Sequence, residues 1–371
     1  MKSTLKPALR WVHRWIGVTL GVLLVVISVS GSLLILQPQF FRWAHGDLIP
    51  AGLSQQRGSI DAWVRNARAA APGLQGPIAI WQPHVSHNVS DAGMVVFSGG
   101  KGGGFGNSGF VAVLIAPATG EALGVVDVDR SAAYAPLFLH GSLWAGNAGR
   151  VLLGSMAVGV LLMLGIGIYL WWPPRQRLLQ KLSPRPWRNT FLYAGRLHDW
   201  SGAWAVMFLL VLAGTGVYMV QPAWVEPALS VLPDTPAAGM PHGTAEACPG
   251  SMGFDEAIRK AQPLVPSGTL TTLAPGHAPQ HWELIFAAKS SESGLRATHV
   301  AADLQCGTVA VESTPGARAP RESAEMWLSG LHDGTAFGLG GELFVTLIGI
   351  VPLVLLWSGL RTWLRRSRRG A

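Results

Sequence analysis

Four of the eleven histidines in this chain recur in two sequence contexts. His13 begins the motif His-Arg-Trp-Ile-Gly, and His198 begins His-Asp-Trp-Ser-Gly, 185 residues later. His140 and His332 each follow a leucine, six residues before a Gly-x-x-Gly segment, at an offset of 192. Neutral imidazoles ligate iron, and two of them can bind one haem from opposite faces of the porphyrin. Recurring histidines therefore predict haem sites, provided that the fold brings each pair together.

The elements that carry these histidines are apolar enough to cross a membrane. The 371 residues are 49% hydrophobic and only 13% charged, which is unusual for a soluble protein. The uncharged stretches are 15–41, 151–174, 200–225 and 343–360. Each is near the ~20 residues that a helix needs to span a bilayer. The sequence therefore predicts an α-helical membrane protein with a bundle of four spans.

The basic residues predict the orientation of these spans. Of the 28 lysines and arginines, 15 lie in residues 1–14, 173–197 and 361–371, which contain no Asp or Glu. Four spans put these segments on one side, and positive charge on short loops favours the cytoplasm. Both termini are then cytoplasmic, at the inner membrane of a bacterium. The net charge of +8 is a topology signal, and we expect no nucleic-acid partner.

The first apolar run could instead be a signal peptide, because four basic residues precede it. From residue 16 to 36 it has 21 residues, longer than the apolar core of about 7–15 residues in a signal peptide, so we favour a retained span. The predicted segments are a cytoplasmic N-terminus (1–14), a first span (15–37), a periplasmic module (38–139), a histidine segment with the second span (140–172), a cytoplasmic loop (173–197), a third span (198–220), a second periplasmic module (221–331), a histidine segment with the fourth span (332–360) and a cytoplasmic C-terminus (361–371).

Each periplasmic segment contains one helical pattern followed by four β-like runs. Residues 60–67 and 254–261 have apolar side chains three and four apart, as on one face of a helix. The β-like runs are 78–81, 95–98, 111–116 and 122–128 in the first segment and 269–273, 281–288, 297–301 and 308–311 in the second. The sequence predicts two small α+β modules, each with one helix beside its own antiparallel sheet.

The two cysteines, Cys248 and Cys306, both lie in the second periplasmic segment. The periplasm is oxidising, so we expect a disulfide between them. Two free buried thiols are the alternative, since the sequence does not show whether their Cα atoms approach each other.

The recurring motifs make each half of the chain a span, an α+β module and a second span in the same membrane orientation. Such a parallel repeat packs about an axis along the membrane normal. His13 should then face His198 at the cytoplasmic edge, and His140 should face His332 on the periplasmic side. Ionisable groups on membrane spans are costly, which favours a functional role for these histidines.

Other side chains near the histidines suit a haem. The arginines that could neutralise its propionates are Arg14, Arg150 and Arg196. The tryptophans that could pack on its ring are Trp15 and Trp200. The glycines that would let a flat macrocycle approach helix backbone are Gly17, Gly31, Gly202 and Gly216. Small residues also permit close helix packing, and interfacial tryptophans occur without any cofactor.

The position of His140 along the membrane normal depends on the conformation of the chain between His140 and Arg150. Ten residues of straight helix would lift the histidine about 15 Å beyond the arginine. The glycines in this stretch make a bent segment equally compatible with the sequence, and a bent segment would put the haem at the membrane interface.

These motifs resemble the PepSY-associated transmembrane family. The resemblance rests on His-x-Trp-x-Gly, on Leu-His with the following Gly-x-x-Gly, and on Ala-Thr-Gly-Glu at 118–121, and it extends from about residue 8 to 365. Within the family the chain is similar to the FoxB-like siderophore reductases. The resemblance implies four spans, two periplasmic PepSY-like modules, two haem b groups on the four histidines and reduction of ferric siderophore in the periplasm. The glycine-rich insert at 99–109 departs from the family pattern, so substrate specificity does not transfer through it.

Together these features predict a dihaem oxidoreductase that passes electrons outward to a ferric siderophore held between the two modules. A hydroxamate type is expected, because hard oxygen ligands prefer Fe(III) and release iron once it is reduced. The electron donor would be quinol or a cytoplasmic reductase. Two other classes stay open. One is a haem-free PepSY-type inhibitor or sensor of a periplasmic protease, and the other is an iron-chelate permease, which the lack of an interrupted helix pair disfavours.

Overall fold

The computed structural model describes residues 2–83, 90–100, 108–183, 193–234, 248, 250–276, 281–288 and 294–367. Parts of the predicted cytoplasmic loop (184–192), of the second module (235–247) and of the glycine-rich insert (101–107) lie outside the described residues. The helices are α1 (Lys2–Leu33), α2 (Gln37–His45), α3 (Ile60–Ala70), α4 (Ala135–Ser142), α5 (Gly146–Trp171), α6 (Leu178–Leu182), α7 (Tyr193–Val220), α8 (Pro222–Leu229), α9 (Phe254–Ala261), α10 (Pro320–Asp333), α11 (Gly338–Ile348) and α12 (Val351–Ser367). The strands are β1 (Gln75–Trp81), β2 (Gly93–Ser98), β3 (Val111–Ile115), β4 (Ala122–Asp127), β5 (Gly268–Pro275), β6 (His281–Ala288), β7 (Thr298–Asp303) and β8 (Thr308–Ser313).

Four helical segments are long and apolar enough to cross a membrane. They are Leu5–Leu48, Gly146–Trp171, Tyr193–Val220 and Thr335–Arg365. The helices begin earlier than predicted in two places, because α1 takes in the basic N-terminus and α7 begins five residues before His198. The chain is therefore a helical membrane protein with strand-rich regions outside the candidate spans.

The predicted fourth span is not one helix. Helix α11 ends at Ile348 and α12 begins at Val351, directly before Pro352. Proline has no N–H to donate, and its ring clashes with the carbonyl four residues earlier, which here belongs to Ile348. The helix therefore stops and restarts at this point.

The chain bends sharply between α4 and α5, which resolves the alternatives for His140 in favour of the bent segment. Leu143 and Trp144 have φ of 50° and 56°, in the left-handed region that side chains other than glycine rarely adopt. In the second half the corresponding turn uses Gly334 and Gly338, with φ of 85° and 62°. His140 and His332 consequently lie on the short helices α4 and α10, which fold back against α1 and α7.

The eight strands form one continuous antiparallel sheet in the order β4-β3-β2-β1-β5-β6-β7-β8. The prediction of two modules with separate sheets is therefore wrong, since β1 pairs with β5 through Ile80–Leu273 and Trp81–Thr272. An isolated four-stranded sheet would leave β1 or β5 as an open edge with unpaired backbone groups. Pairing the two edges satisfies these groups. A chelate therefore has no open cleft between two modules in the described part of the sheet.

The helices α3 and α9 pack on the same face of this sheet and share one apolar core. Trp63 of α3, Ile258 of α9 and Phe286 of β6 all belong to it. On the other face of the first half of the sheet, Phe41 of α2 is buried in the same apolar cluster as Met94 of β2. Because α2 directly continues the first candidate span, this face is the one turned toward the bundle.

Two aspartates join the helix ends across the two halves. Asp61 Oδ1 accepts from the backbone N–H of Phe254 at 2.9 Å, and Asp255 Oδ1 accepts from that of Ile60 at 2.8 Å. Each carboxylate therefore caps the other helix, where the N-terminal N–H groups lack intrahelical partners. Ser59 also donates to Asp255. We call this reciprocal contact the aspartate cap.

The structure joins Cys248 to Cys306 in a disulfide, with Cα atoms 4.5 Å apart. Cys306 lies in the turn between β7 and β8, so the bridge ties the chain before α9 to the far end of the sheet.

Candidate cofactor site

His13 and His198 lie beside each other at one end of the bundle. They are carried by α1 and α7, and their ring centroids are 6.3 Å apart with the planes nearly perpendicular, at 86°. We call them the sheet-distal pair, because the chain reaches the sheet from the opposite ends of these helices.

His140 and His332 form the second pair, at the end of the bundle nearer the sheet. Their ring centroids are 6.0 Å apart, with the planes inclined at 47°. We call them the sheet-proximal pair. The structure thus brings together the two pairs that the offsets of 185 and 192 residues match.

Each imidazole bonds a helix backbone carbonyl, and for His13, His140 and His198 this bond runs from Nδ1. The carbonyls belong to Met163 for His13 (3.2 Å), Ile27 for His140 (2.8 Å) and Leu355 for His198 (3.0 Å). The His332 ring bonds the carbonyl of Leu212 and lies 3.0 Å from the Thr215 hydroxyl. A carbonyl only accepts, so Nδ1 of His13, His140 and His198 carries the proton and Nε2 is the nitrogen left for a metal. The Thr215 hydroxyl donates to backbone carbonyls, so its oxygen can accept from Nδ1 of His332 in the same way.

The spacing within each pair suits two imidazoles on one iron. A metal–imidazole bond is about 2 Å long, and a ring centroid lies roughly 1 Å behind its nitrogen, so two ligands in line put their centroids about 6 Å apart. The separations of 6.3 and 6.0 Å agree with this value. Ligating histidines also donate their other N–H to a backbone carbonyl or carboxylate, as these four do. The donor set therefore fits a haem at each pair.

One cavity of about 2170 Å³ runs along the bundle and contacts both pairs. It is more than twice the roughly 1000 Å³ of a large single-ligand pocket, so it has space for two bulky groups. The cavity reaches Trp81 of β1 and Tyr134 beneath the sheet. Burial raises the pKa of Tyr134 to about 12, so its hydroxyl stays neutral at physiological pH.

The three predicted propionate partners all line this cavity. Arg14 also lies over the rings of Trp15 and Trp363, at 5.9 and 5.8 Å from their centroids. Arg150 donates from Nε to the carbonyl of Val220 at 3.2 Å. Arg14 and Arg196 lie near the sheet-distal pair, whereas Arg150 lies near the sheet-proximal pair.

The predicted ring-packing tryptophans lie elsewhere. Trp15 and Trp200 are not among the residues that line the cavity, and Nε1 of Trp200 donates to the carbonyl of Leu182 at 3.1 Å. The structure therefore does not support their packing on a cofactor. The tryptophans that do line the cavity are Trp11, Trp81, Trp171, Trp172 and Trp363.

Trp171 is a candidate that the sequence analysis did not single out. Its Nε1 is buried without a hydrogen-bond partner in the described part of the chain, and its ring lines the cavity. Lys181 lies over this ring at 5.5 Å. A buried indole N–H beside a cation would suit an anionic group such as a propionate. Proximity of Trp171 to the basic loop is the sequence signal that could have indicated this role.

The four predicted glycines all line the cavity, at positions that a macrocycle could approach: Gly17, Gly31, Gly202 and Gly216. A Cβ at Gly31 or Gly216 would also meet a histidine ring, that of His140 or His332. These two glycines thus accommodate the ligands themselves.

A family model described as the PepSY-associated TM region matches residues 10–366. The chain belongs to this family. Among curated proteins, none matches the chain. The match to the PepSY-associated family covers both histidine pairs and every strand of the sheet, so the candidate site lies within the family region.

Proposed function

We propose that this protein is a dihaem membrane oxidoreductase that reduces ferric siderophores, of the FoxB-like type within its family. The observation that carries the proposal is the geometry of the two histidine pairs. The ring centroids of each pair lie at a separation suited to two ligands of one iron, and the Nδ1 atoms of the four rings bond backbone carbonyls or, for His332, the Thr215 hydroxyl.

In this proposal His13 and His198 hold one haem b, and His140 and His332 hold the other. When bound, each haem supplies a site that gains and loses one electron. The protein's own part is to fix the imidazoles, to offer cationic and N–H groups to the propionates, and to exclude water with the apolar bundle core around Leu153 and Val160. Arg14, Arg196 and Trp171 would serve the sheet-distal haem, and Arg150 would serve the sheet-proximal haem.

We place the protein in the inner membrane with both termini in the cytoplasm and the sheet in the periplasm. The halves of the chain would then be related by an axis along the membrane normal, with the two haem sites stacked across the bilayer. Electrons would move from the sheet-distal to the sheet-proximal site, toward the positive side of the membrane. The membrane potential favours this direction by about 2.3 kcal/mol per 100 mV for a full crossing.

The chelate would bind beneath the sheet, where the cavity opens past the sheet-proximal pair to Trp81 and Tyr134. This location replaces the one between two modules, which the continuous sheet closes. One electron converts a hydroxamate-bound Fe(III) to Fe(II), which oxygen ligands hold less tightly. A quinol donor would lose two electrons and two protons, so it would serve two chelates. Residues 221–342 contain 13 acidic and 6 basic residues, which favours a neutral or cationic ferric chelate.

Optical spectroscopy of the purified protein tests this proposal. We expect two low-spin haems, and we expect the reduced protein to be reoxidised by a ferric hydroxamate with Fe(II) trapped by an added chelator. The His332→Ala variant, still holding the sheet-distal haem, should be reoxidised much more slowly. Protein purified without haem would reject the proposal and favour the protease inhibitor or the permease. Equal reoxidation rates in the variant and the parent would reject the sheet-proximal haem as the exit.

A further inference from the structure

The four histidines lie against four helices in the same local arrangement. In each case the carbonyl that accepts from the ring belongs to a residue four positions before a glycine. The pairs of carbonyl and glycine are Met163 and Gly167 for His13, Ile27 and Gly31 for His140, Leu355 and Gly359 for His198, and Leu212 and Gly216 for His332. Four independent helices thus share one spacing.

Helix geometry explains why the glycine stands at this distance. In an α-helix the carbonyl of residue i already accepts from the N–H of residue i+4, and the side chain at i+4 lies on the same face. A carbonyl oxygen has two lone pairs, so it can take a second hydrogen bond if its flank is open. Glycine at i+4 removes the Cβ that would cover this flank. The imidazole then lies flat enough against the helix to donate from Nδ1.

A Cβ placed on each glycine would lie at a different distance from the histidine ring. A Cβ on Gly31 would lie 2.6 Å from Cε1 of His140, closer than real carbon atoms approach. The same atom on Gly167 would lie 3.1 Å from the His13 ring, on Gly216 3.3 Å from His332, and on Gly359 3.4 Å from His198. Side chains are therefore excluded most strongly at Gly31 and least strongly at Gly359.

Beside three of the four carbonyls the residue at i+3 carries a hydroxyl. Ser30 donates to Ile27 at 2.9 Å, whereas the hydroxyls of Thr215 and Ser358 lie 3.2 Å from the carbonyls of Leu212 and Leu355 and bond more closely to the carbonyl one residue earlier. The fourth arrangement, beside His13, has Ile166 at this position and no hydroxyl. In the sequence, these three arrangements are visible as the dipeptides Ser30-Gly31, Thr215-Gly216 and Ser358-Gly359.

We infer that these four glycines are positioning residues for the haem ligands. Each one lets its histidine reach a helix carbonyl, which fixes the proton on Nδ1 and turns Nε2 toward the cavity. The histidine alone does not define a ligand here, because an imidazole displaced from its carbonyl would lose both its tautomer and its direction. The inference rests on the proposed haem function and adds the residues that make the four histidines competent.

Alanine variants of the four glycines test the inference, with matched controls two residues earlier on the same helices. Gly165 and Gly214 have no heavy atom within 4 Å of a built Cβ, so Gly165→Ala controls for Gly167→Ala, and Gly214→Ala controls for Gly216→Ala. We expect Gly31→Ala to abolish the low-spin signal of the sheet-proximal haem in electron paramagnetic resonance while the sheet-distal signal persists. The loss should decrease in the order Gly31, Gly167, Gly216, Gly359. Gly165→Ala and Gly214→Ala should leave both signals unchanged.

The outcomes separate this inference from the function on which it rests. A parent protein without haem would reject the proposed function. A haem-loaded parent whose Gly31→Ala variant keeps both signals unchanged would reject the positioning role alone. If Gly31→Ala does not accumulate, Gly216→Ala decides, because it acts on the same pair with a smaller clash. Equal signal loss in Gly214→Ala and Gly216→Ala would show general helix packing and overturn the inference.

Discussion

The two histidine pairs have the same residue type and the same backbone arrangement, but they differ in the charges around them. Among the described residues, the cavity wall near the sheet-distal pair carries Arg10, Arg14, Lys181 and Arg196 with a single acid, Asp199. Near the sheet-proximal pair it carries Arg150 with two acids, Asp333 and Glu342. One site is therefore strongly basic, and the other is slightly acidic.

The difference is concentrated at equivalent sequence positions. Arg14 corresponds to Asp199 at the offset of 185, and Arg150 corresponds to Glu342 at the offset of 192. At these two matched positions the first half of the chain has the cation and the second half has the anion. In both halves each histidine packs against a helix carbonyl and a glycine in the same way. The halves differ in the charged side chains nearby.

This comparison teaches how one protein could hold the same group twice with different electron affinities. Positive charge near an iron stabilises its reduced form, and negative charge stabilises its oxidised form. The sheet-proximal haem should then have the lower reduction potential. A low potential at that end suits a substrate whose oxygen ligands stabilise Fe(III), and the membrane potential would offset part of the uphill transfer.

The largest expected effect is the loss of one haem without the other. In the proposed function each pair binds its own iron, so His13→Ala should remove the sheet-distal haem and His140→Ala should remove the sheet-proximal haem. Haem content per polypeptide, measured by pyridine haemochrome assay, should fall from two to one in both variants. Loss of both haems from each single variant would mean that the pairs are not independent sites, and the comparison between them would no longer hold.

The sequence predicted much of this arrangement because its signals were local or repeated. The His-x-Trp-x-Gly and Leu-His motifs indicated which histidines should meet, and alternation within short runs placed the strands close to their observed bounds. It did not predict the joining of β1 to β5, since the alternation of a strand does not specify which neighbour pairs with its edge. Nor did it predict the role of Gly31 and Gly216, because small residues on spans are equally typical of helix packing.

Removing the disulfide should have the next largest effect. The resulting destabilisation should affect the sheet-proximal pair before the sheet-distal pair. Bridging residues 58 apart constrains the unfolded chain by about 4 kcal/mol in the chain-entropy model. Replacing both Cys248 and Cys306 with Ser should therefore destabilise the sheet by up to that amount. In thermal melts followed by haem absorbance, the sheet-proximal haem should be lost at a lower temperature than the sheet-distal haem. Simultaneous loss of the two haems would show that the sheet and the whole bundle unfold as one unit.

Neutralising Glu342 should raise the reduction potential of the sheet-proximal haem. A unit charge roughly 10 Å from an iron, in an effective dielectric constant of about 20, is worth about 1.5 kcal/mol. Glu342→Gln removes such a charge with little change in shape, and Arg150→Gln should shift the same potential in the opposite direction. Redox titration followed optically measures both. A shift of the sheet-distal potential as large as the sheet-proximal one would contradict the local origin of the difference.

The smallest effect concerns the aspartate cap, which joins α3 to α9 and so links the two halves of the sheet at whose bundle side the sheet-proximal pair lies. Burial alone would raise the pKa of Asp255, but hydrogen bonds from Ser59 and from the backbone of Ile60 and Asp61 outweigh it, so the pKa is lowered. Arg57 also faces this carboxylate. A lowered folded-state pKa means that the contribution to stability is complete above the unfolded value of about 3.9 and is lost as the pH falls through the folded value.

Access of cyanide to the sheet-proximal haem should thus be constant from pH 8 to about 5 and rise only below about 4. Asp255→Ala should remove this acid step and cost about 1 kcal/mol at neutral pH, as loss of a helix cap does. The sheet-distal haem should show no such step, and an equal step there would place its cause outside the cap.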